Sequence, residues 1–248
     1  MTEARAAATS RRAAWAGGAG AVLAAAGLAA PASAQLAAEA SIQTDYRLRG
    51  YSLSGERPVA AVSLSYDDPS GLYAGATALG MVRRGEPELL GVQANLGYAT
   101  RVAPGVSLDG GVYRAEYAYG YGTSRNYHYT ELYLGLATRR VTARLRYSPD
   151  YFYADTPTLY AEVEAGIEPA PNWFVSAHAG ALTYLEKPPP YLPRRTYDWR
   201  VGASRQLGRL GIHLDLSGRI QDQAYASPYA MPGPDDDAAV VLSLTRAL

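Results

Sequence analysis

The stretch Val141-Thr142-Ala143-Arg144-Leu145-Arg146-Tyr147-Ser148 alternates without a break between apolar and polar side chains. Successive side chains of an extended strand point to opposite faces, so Val141, Ala143, Leu145 and Tyr147 share one face while Thr142, Arg144, Arg146 and Ser148 share the other. A strand with one greasy face and one charged face, about as long as a tilted bilayer crossing requires, is the unit of a transmembrane β-barrel: the apolar side meets lipid and the polar side an enclosed aqueous interior. A soluble barrel reverses the two faces or covers the apolar one. Twelve such stretches run from Ala38 to the last residue. They predict an all-β fold, a transmembrane antiparallel up-and-down barrel of twelve strands with short periplasmic turns and longer extracellular loops.

Ahead of the strands, Arg5, Arg11 and Arg12 precede an apolar stretch from Ala13 to Ala30, and Ala32-Ser33-Ala34 supplies small residues for cleavage before Gln35. This pattern is that of a secretory signal peptide. The expected division is a cleaved leader over 1–34 and a barrel over 35–248, in a protein exported through the periplasm to the bacterial outer membrane. Ser10-Arg11-Arg12 lacks the rest of a twin-arginine motif. No later stretch approaches the roughly 20 apolar residues of a spanning helix.

Without the leader, 20 basic residues face 22 acidic ones. This balance gives no basic surface for nucleic acid. The chain has no cysteine, so neither disulfides nor thiolate metal sites can stabilise it. Of the aromatic residues 21 are Tyr, against two Phe and three Trp, and Tyr suits the headgroup boundary.

Parity assigns the facing strand by strand. The first strand places Ala40, Ile42, Thr44, Tyr46 and Leu48 outward and Glu39, Ser41, Gln43, Asp45, Arg47 and Arg49 inward. Strands over about Pro58–Tyr66 and Leu72–Met81 follow, the second too rich in Gly and Ala for its facing to be read. The next sets Leu90, Val92, Ala94, Leu96 and Tyr98 outward. Val106 and Leu108 then have one parity, and Tyr113, Ala115, Tyr117 and Tyr119 the other, so a β-bulge is expected near Gly110-Gly111, with the tyrosines outward and Arg114 and Glu116 inward. Leu132, Leu134 and Leu136 face out opposite Tyr129, Glu131 and Tyr133. Later strands send Leu159, Val163, Trp173, Val175, Tyr197, Trp199, Leu214 and Leu242 outward. The turns at 67–71, 103–105, 138–140, 168–172 and 206–209 are tight, and the alternate six connections are mostly longer. An even strand count then puts both termini on the periplasmic side.

Asp45-Tyr46-Arg47-Leu48-Arg49-Gly50, followed by Ser52, Ser54, Pro58 and Gly71-Leu72-Tyr73-Ala74-Gly75, resembles the TorF family of proteobacterial outer-membrane porins. Tyr129-Thr130-Glu131-Leu132-Tyr133, Tyr147-Ser148-Pro149-Asp150-Tyr151, Ser176-Ala177-His178 and Tyr197-Asp198-Trp199 resemble later positions of that family, so the likeness covers most of the mature chain. It implies an outer-membrane barrel delivered by the barrel-assembly machinery, and little about mechanism. Such chains usually end in an aromatic residue read by that machinery, and this one ends in Leu248.

By parity the pore lining comprises Asp45, Arg47, Arg49, Arg114, Glu116, Glu131, Arg144, Arg146, Glu162, Glu164, Asp198, Arg200, Asp215 and Arg219. Arg144 is expected about opposite Glu162, and Arg200 about opposite Asp215, cross-strand pairs that fix register. The same ladder could steer anionic solutes, although the near-equal signs favour structural ion pairs. His178 and His213 face inward on separate strands, and no spacing provides a metal site. Gly91, Gly97, Gly110, Gly111 and Gly135 precede no helix and form no phosphate cradle; they ease crowding inside the barrel. No nucleophile and base fall together, so the sequence predicts no enzyme and no cofactor. It predicts a passive channel for small hydrophilic solutes, with outer-membrane lipid around it. The alternative is a non-conducting structural or surface-interaction barrel acting through the Pro-rich loops at Tyr184–Arg195 and Asp222–Asp236.

Overall fold

The computed structural model describes residues 34–118, 127–188, 192–221 and 238–248. The expected leader lies outside these residues, except for Ala34, as does the whole of the Asp222–Asp236 loop. The described chain forms β1 (Gln35–Gln43), β2 (Arg47–Leu48), β3 (Tyr51–Ser52), β4 (Val59–Asp67), β5 (Leu72–Arg83), β6 (Glu86–Ala103) and β7 (Val106–Tyr117). After these come β8 (Tyr127–Ala137), β9 (Val141–Ser148), β10 (Thr158–Ala170), β11 (Trp173–Tyr184), β12 (Arg195–Leu207), β13 (Leu210–Gln221) and β14 (Ala238–Ala247).

Twelve of these strands, β1 and β4 to β14, close into one antiparallel barrel, each paired with its neighbours in sequence order. Closure is made by β1, which pairs with β14 on one side and β4 on the other. A closed ladder satisfies every backbone donor and acceptor without an edge, the condition for crossing hydrocarbon with strands. Both ends of the described barrel lie at one rim, where the Leu248 backbone N–H donates to the Ala38 carbonyl at 3.0 Å. We call this the terminal rim and the opposite one the far rim. At a terminal-rim turn the Ser70 hydroxyl, with help from its backbone N–H, holds the Asp68 carboxyl below the usual carboxylate range.

The outer wall is apolar as the alternation requires. Leu132, Leu134, Leu145, Val163, Val201, Leu214 and Leu242 are all exposed, and Leu134 stands directly opposite Leu145 across β8 and β9. The inner positions of β9, namely Thr142, Arg144, Arg146 and Ser148, are all buried.

Four expectations change. The first strand stops at Gln43, and Tyr46 and Leu48 are buried within the barrel rather than facing lipid. The chain over 44–58 turns inward and pairs β2 with β3 as a small separate hairpin. Second, β7 runs through Gly110-Gly111 in unbroken register with both neighbours. Val106, Leu108, Val112, Arg114 and Glu116 therefore share the outer face, and Asp109, Tyr113, Ala115 and Tyr117 the inner one. Third, the interior bulge lies at Leu90, which is skipped where Leu79 pairs with Gly91 and Gly80 with Leu89, and this turns Leu90 inward to full burial. Fourth, the connection between β5 and β6 is a two-residue turn, Arg84-Gly85, with φ of 54° and 86°. Positive φ at both central residues is what a tight hairpin compatible with strand twist demands.

Leu145→Arg would place a cation on the lipid-facing wall in mid-strand. It is expected to destabilise the fold in phospholipid vesicles by about 2–4 kcal/mol, measured by equilibrium denaturant titration.

Candidate functional site

The interior is filled from the far rim by two inserted segments. In the first, residues 44–58, the β2–β3 hairpin turns at Arg49-Gly50, whose φ values are 49° and 76°. The turn leaves no room for a side chain at Gly50: an added Cβ would lie 2.7 Å from Arg219 Cβ and 2.9 Å from the Gly218 carbonyl. The segment is internally tied. Asp45 accepts from Arg47 at 3.0 Å, Ser52 at 2.6 Å and Ser54 at 2.7 Å, and Arg47 also donates to the Gly50 carbonyl at 2.6 Å. Tyr51 lies under the Arg219 guanidinium, 3.8 Å from ring centroid to Cζ.

The second segment joins β9 to β10. Its Tyr151 and Phe152 insert against Tyr129, with ring centroids 4.9 Å apart in each case. Phe152 takes φ of 60°, a conformation rare for a bulky side chain. The two segments share one hydrophobic cluster with inward residues of the wall, among them Val59, Leu79, Leu90, Tyr113, Tyr117 and Leu182. The far half of the lumen is thus packed, and mostly by tyrosines, whose composition alone suits the headgroup boundary.

Below that cluster lies a continuous charged network. Arg49 Nη2 meets Glu131 Oε1 at 2.5 Å, and the other Glu131 oxygen faces Arg146 at 3.6 Å. Arg146 donates from Nε to Glu162 at 2.9 Å, which Arg144 approaches at 3.7 Å. Arg144 in turn donates to Asp109 at 3.0 Å. Asp109 also accepts from Tyr73, whose hydroxyl lies 2.6 Å from that of Tyr133. Glycine makes space for this packing: a Cβ at Gly97 would lie 2.5 Å from the Tyr73 hydroxyl and 2.6 Å from that of Tyr133.

Arg144 does pair with Glu162 in register. Arg200 instead stands opposite Ser217, and Asp215 opposite Gly202. Its nearer ion-pair partner is Glu164 at 3.0 Å, two strands away, while Asp215 is at 4.0 Å. The turn between β12 and β13 is centred on Gly208-Arg209 rather than on the middle of the expected 206–209 turn, a displacement of one residue that moves the register by two. Asp198 accepts from Tyr160 at 3.0 Å and lies 2.9 Å from His178 Nε2.

Asp45, Arg47 and Arg49 therefore reach the interior from the inserted hairpin rather than from a wall strand. Arg114 and Glu116 are not in the lumen. They lie on the outer face near the far rim, half-exposed and 4.0 Å apart, with Arg114 donating to Thr130. The residue the sequence reading missed is Asp109, for which keeping the parity of Val106, Leu108 and Val112 through the glycines was the available signal. With these corrections the wall network has six inward carboxylates, Asp109, Glu131, Glu162, Glu164, Asp198 and Asp215, against the four guanidinia of Arg144, Arg146, Arg200 and Arg219. The hairpin adds two cations and one anion close by. Between hairpin and wall remains a cavity of about 60 Å³, lined among others by Arg47, Arg49, Tyr160, Glu162, Asp198 and Arg200. It has room for a few waters and too little for a sugar.

A family model described as a bacterial protein of unknown function (Gcw_chp) matches residues 26–230. No curated protein matches the sequence. Among solved structures, the NanC porin superimposes with a TM-score of 0.53 at 9% identity, over 85% of this chain and 98% of that one. The KdgM porin in complex with disordered oligogalacturonate gives 0.51 at 8% identity, over 86% and 99%. At such identity these similarities establish a porin-like barrel fold and no solute.

Arg146→Ala would leave Glu131 and Glu162 short of their buried counter-charge. A loss of about 3–5 kcal/mol is expected from removing one partner of a buried pair, whereas Arg114→Ala, on the outer face, should stay within about 0.5 kcal/mol of wild type. Urea unfolding of the two variants side by side tests both the network and the outward placement of Arg114.

Proposed function

We propose that this chain, which belongs to the Gcw_chp family of bacterial proteins, is an outer-membrane porin-like channel that passes small hydrophilic solutes passively through a charged lumen. The resemblance to TorF-family porins and the signal-like leader agree with this reading and with export through the periplasm. The far rim then faces outward from the cell and the terminal rim faces the periplasm.

One observation carries the proposal. The wall keeps a ladder of carboxylates and guanidinia around a partly open cavity, yet the element that blocks it, residues 44–58, has no strand pairing to the wall; past the Thr44 N–H bond to the Leu242 carbonyl at its base, it is held in the lumen by side-chain contacts. A barrel serving only as a scaffold gains nothing from a charged interior, because apolar residues of similar volume stabilise a sealed core at least as well. A blocking segment held by ion pairs and ring contacts can be displaced with the barrel left intact. No catalytic arrangement contributes to this reading, and no cofactor is needed for it.

The packed tyrosine cluster at the far rim favours a second reading, a closed barrel that works through its outer loops. Planar-bilayer recording separates the two. Purified wild type should give small or infrequent conductance steps, and a variant with residues 46–54 replaced by a short Gly-Ser linker should raise the unit conductance severalfold. Folded protein that is silent in both forms would favour the loop-based role.

A further inference from the structure

The guanidinium of Arg49 sits in a setting that proteins use to recognise free cations. Its Nη2 reaches Glu131 at 2.5 Å, and its Cζ lies 3.8 Å from the centroid of Tyr160 and 4.8 Å from that of Tyr151. Arg49 and Glu131 are 8% and 1% exposed, so the contact is desolvated, the condition under which a cation over an aromatic face gains most. The Nε and Nη1 groups of Arg49 make no hydrogen bond to protein. The grip is therefore on charge and planarity rather than on the full donor pattern of an arginine, and a smaller cation would satisfy it equally.

The group that fills this cage is delivered on a two-residue turn with left-handed backbone at both positions. For a residue other than glycine that conformation is disfavoured and is kept only where surrounding contacts compensate. If Arg49 leaves, Glu131 keeps only Arg146, at 3.6 Å, in a wall whose carboxylates already outnumber its guanidinia. An anion would find no counter-charge surplus there, and a cation would. The cavity bordered by Arg49, Tyr160 and Glu162 reaches the edge of the cage.

We propose that Glu131, Tyr151 and Tyr160 form a binding site for guanidinium and alkylammonium groups, occupied in the resting protein by Arg49, and that a solute carrying such a group displaces Arg49 and frees the β2–β3 hairpin. The binding step stands apart from conduction; the link to opening rests on the channel reading given above.

Isothermal titration of methylguanidinium chloride into detergent-folded protein tests the site, with heat-modifiable gel mobility confirming that each variant is folded. Arg49→Ala should bind methylguanidinium saturably, at least tenfold more tightly than wild type, in which the cage is filled. The double variant Arg49→Ala/Glu131→Gln should lose at least tenfold of that affinity, and neither urea nor sodium acetate should bind. Equal affinity in the single and double variants overturns the proposal. If Arg49→Ala does not fold, Arg49→Gln, which is uncharged and too short to fill the cage but keeps a polar side chain on the turn, takes its place in the same comparison. Displacement is read in otherwise native protein from a nitroxide on Arg57→Cys, a unique label because the chain has no cysteine. Methylguanidinium should increase label mobility while equimolar sodium chloride does not, and no change at saturating cation overturns the release step. Binding in the titration with a silent bilayer would remove the channel and leave the cage; conductance without differential binding would do the reverse.

Discussion

Closure of the hydrogen-bond ladder constrains everything else in this molecule. A strand in hydrocarbon has no water to satisfy its backbone, so each must pair on both sides, and paired strands cannot change facing without a bulge. The facing of all twelve barrel strands is in that sense one decision rather than twelve. That is why the tyrosines of β7 point inward although their composition suits the membrane boundary. Val106, Leu108 and Val112 fix the parity of β7, its register with β6 and β8 is continuous from Ser107 to Tyr117, and Tyr113 and Tyr117 follow.

Inside the ladder, a different economy holds. Twelve strands enclose a space too wide for inward side chains alone to fill, and too narrow to stay open once two segments fold into it. The molecule divides that space lengthwise. At the far rim the inserted residues and the wall build a tyrosine-rich core with Leu48, Leu79 and Leu90. Toward the terminal rim the wall is polar, with Arg set against Glu or Asp, and Arg144, Arg146, Arg200, Glu131 and Glu162 each face two partners of opposite charge. Arg49 stands at the boundary and belongs to both, an ion-pair partner to Glu131 and a cation over Tyr151 and Tyr160.

Much of this was legible in the sequence because a period of two is hard to disguise. The stretch from Val141 to Ser148, the inward Glu162 and Glu164, and the outward leucines of β8 all follow from alternation alone. What alternation cannot reveal is where it stops mattering. Asp45 to Arg49 continues the pattern of β1 flawlessly, yet it is an inserted hairpin, since Arg49-Gly50 is a turn and the polar residues after it tie the segment to itself. The motif stretches noted in the sequence gain a spatial meaning that order along the chain hides. Asp45–Gly50, Glu131 and Tyr151 meet around one guanidinium, with His178 and Asp198 bordering the same cavity. Register was the other quantity out of reach, as the two-residue offset between Arg200 and Asp215 depends on turn geometry rather than on composition.

The Arg84-Gly85 turn has a consequence for the silhouette of the protein. β6 is 18 residues long and β9 only 8, so the wall is lopsided, and the β5–β6 ribbon climbs past its neighbours as a crest. Above Met81 and Leu90 that ribbon has no strand on either flank among the described residues. Bare strand flanks standing in water invite pairing with stray chains. The crest carries Pro87, which has no N–H to offer, together with Arg83, Arg84, Glu86 and Glu88, the first and last of them bonded at 2.8 Å. Its tip is thereby made an unwelcoming template, and the uneven rim does not become a seed for strand addition.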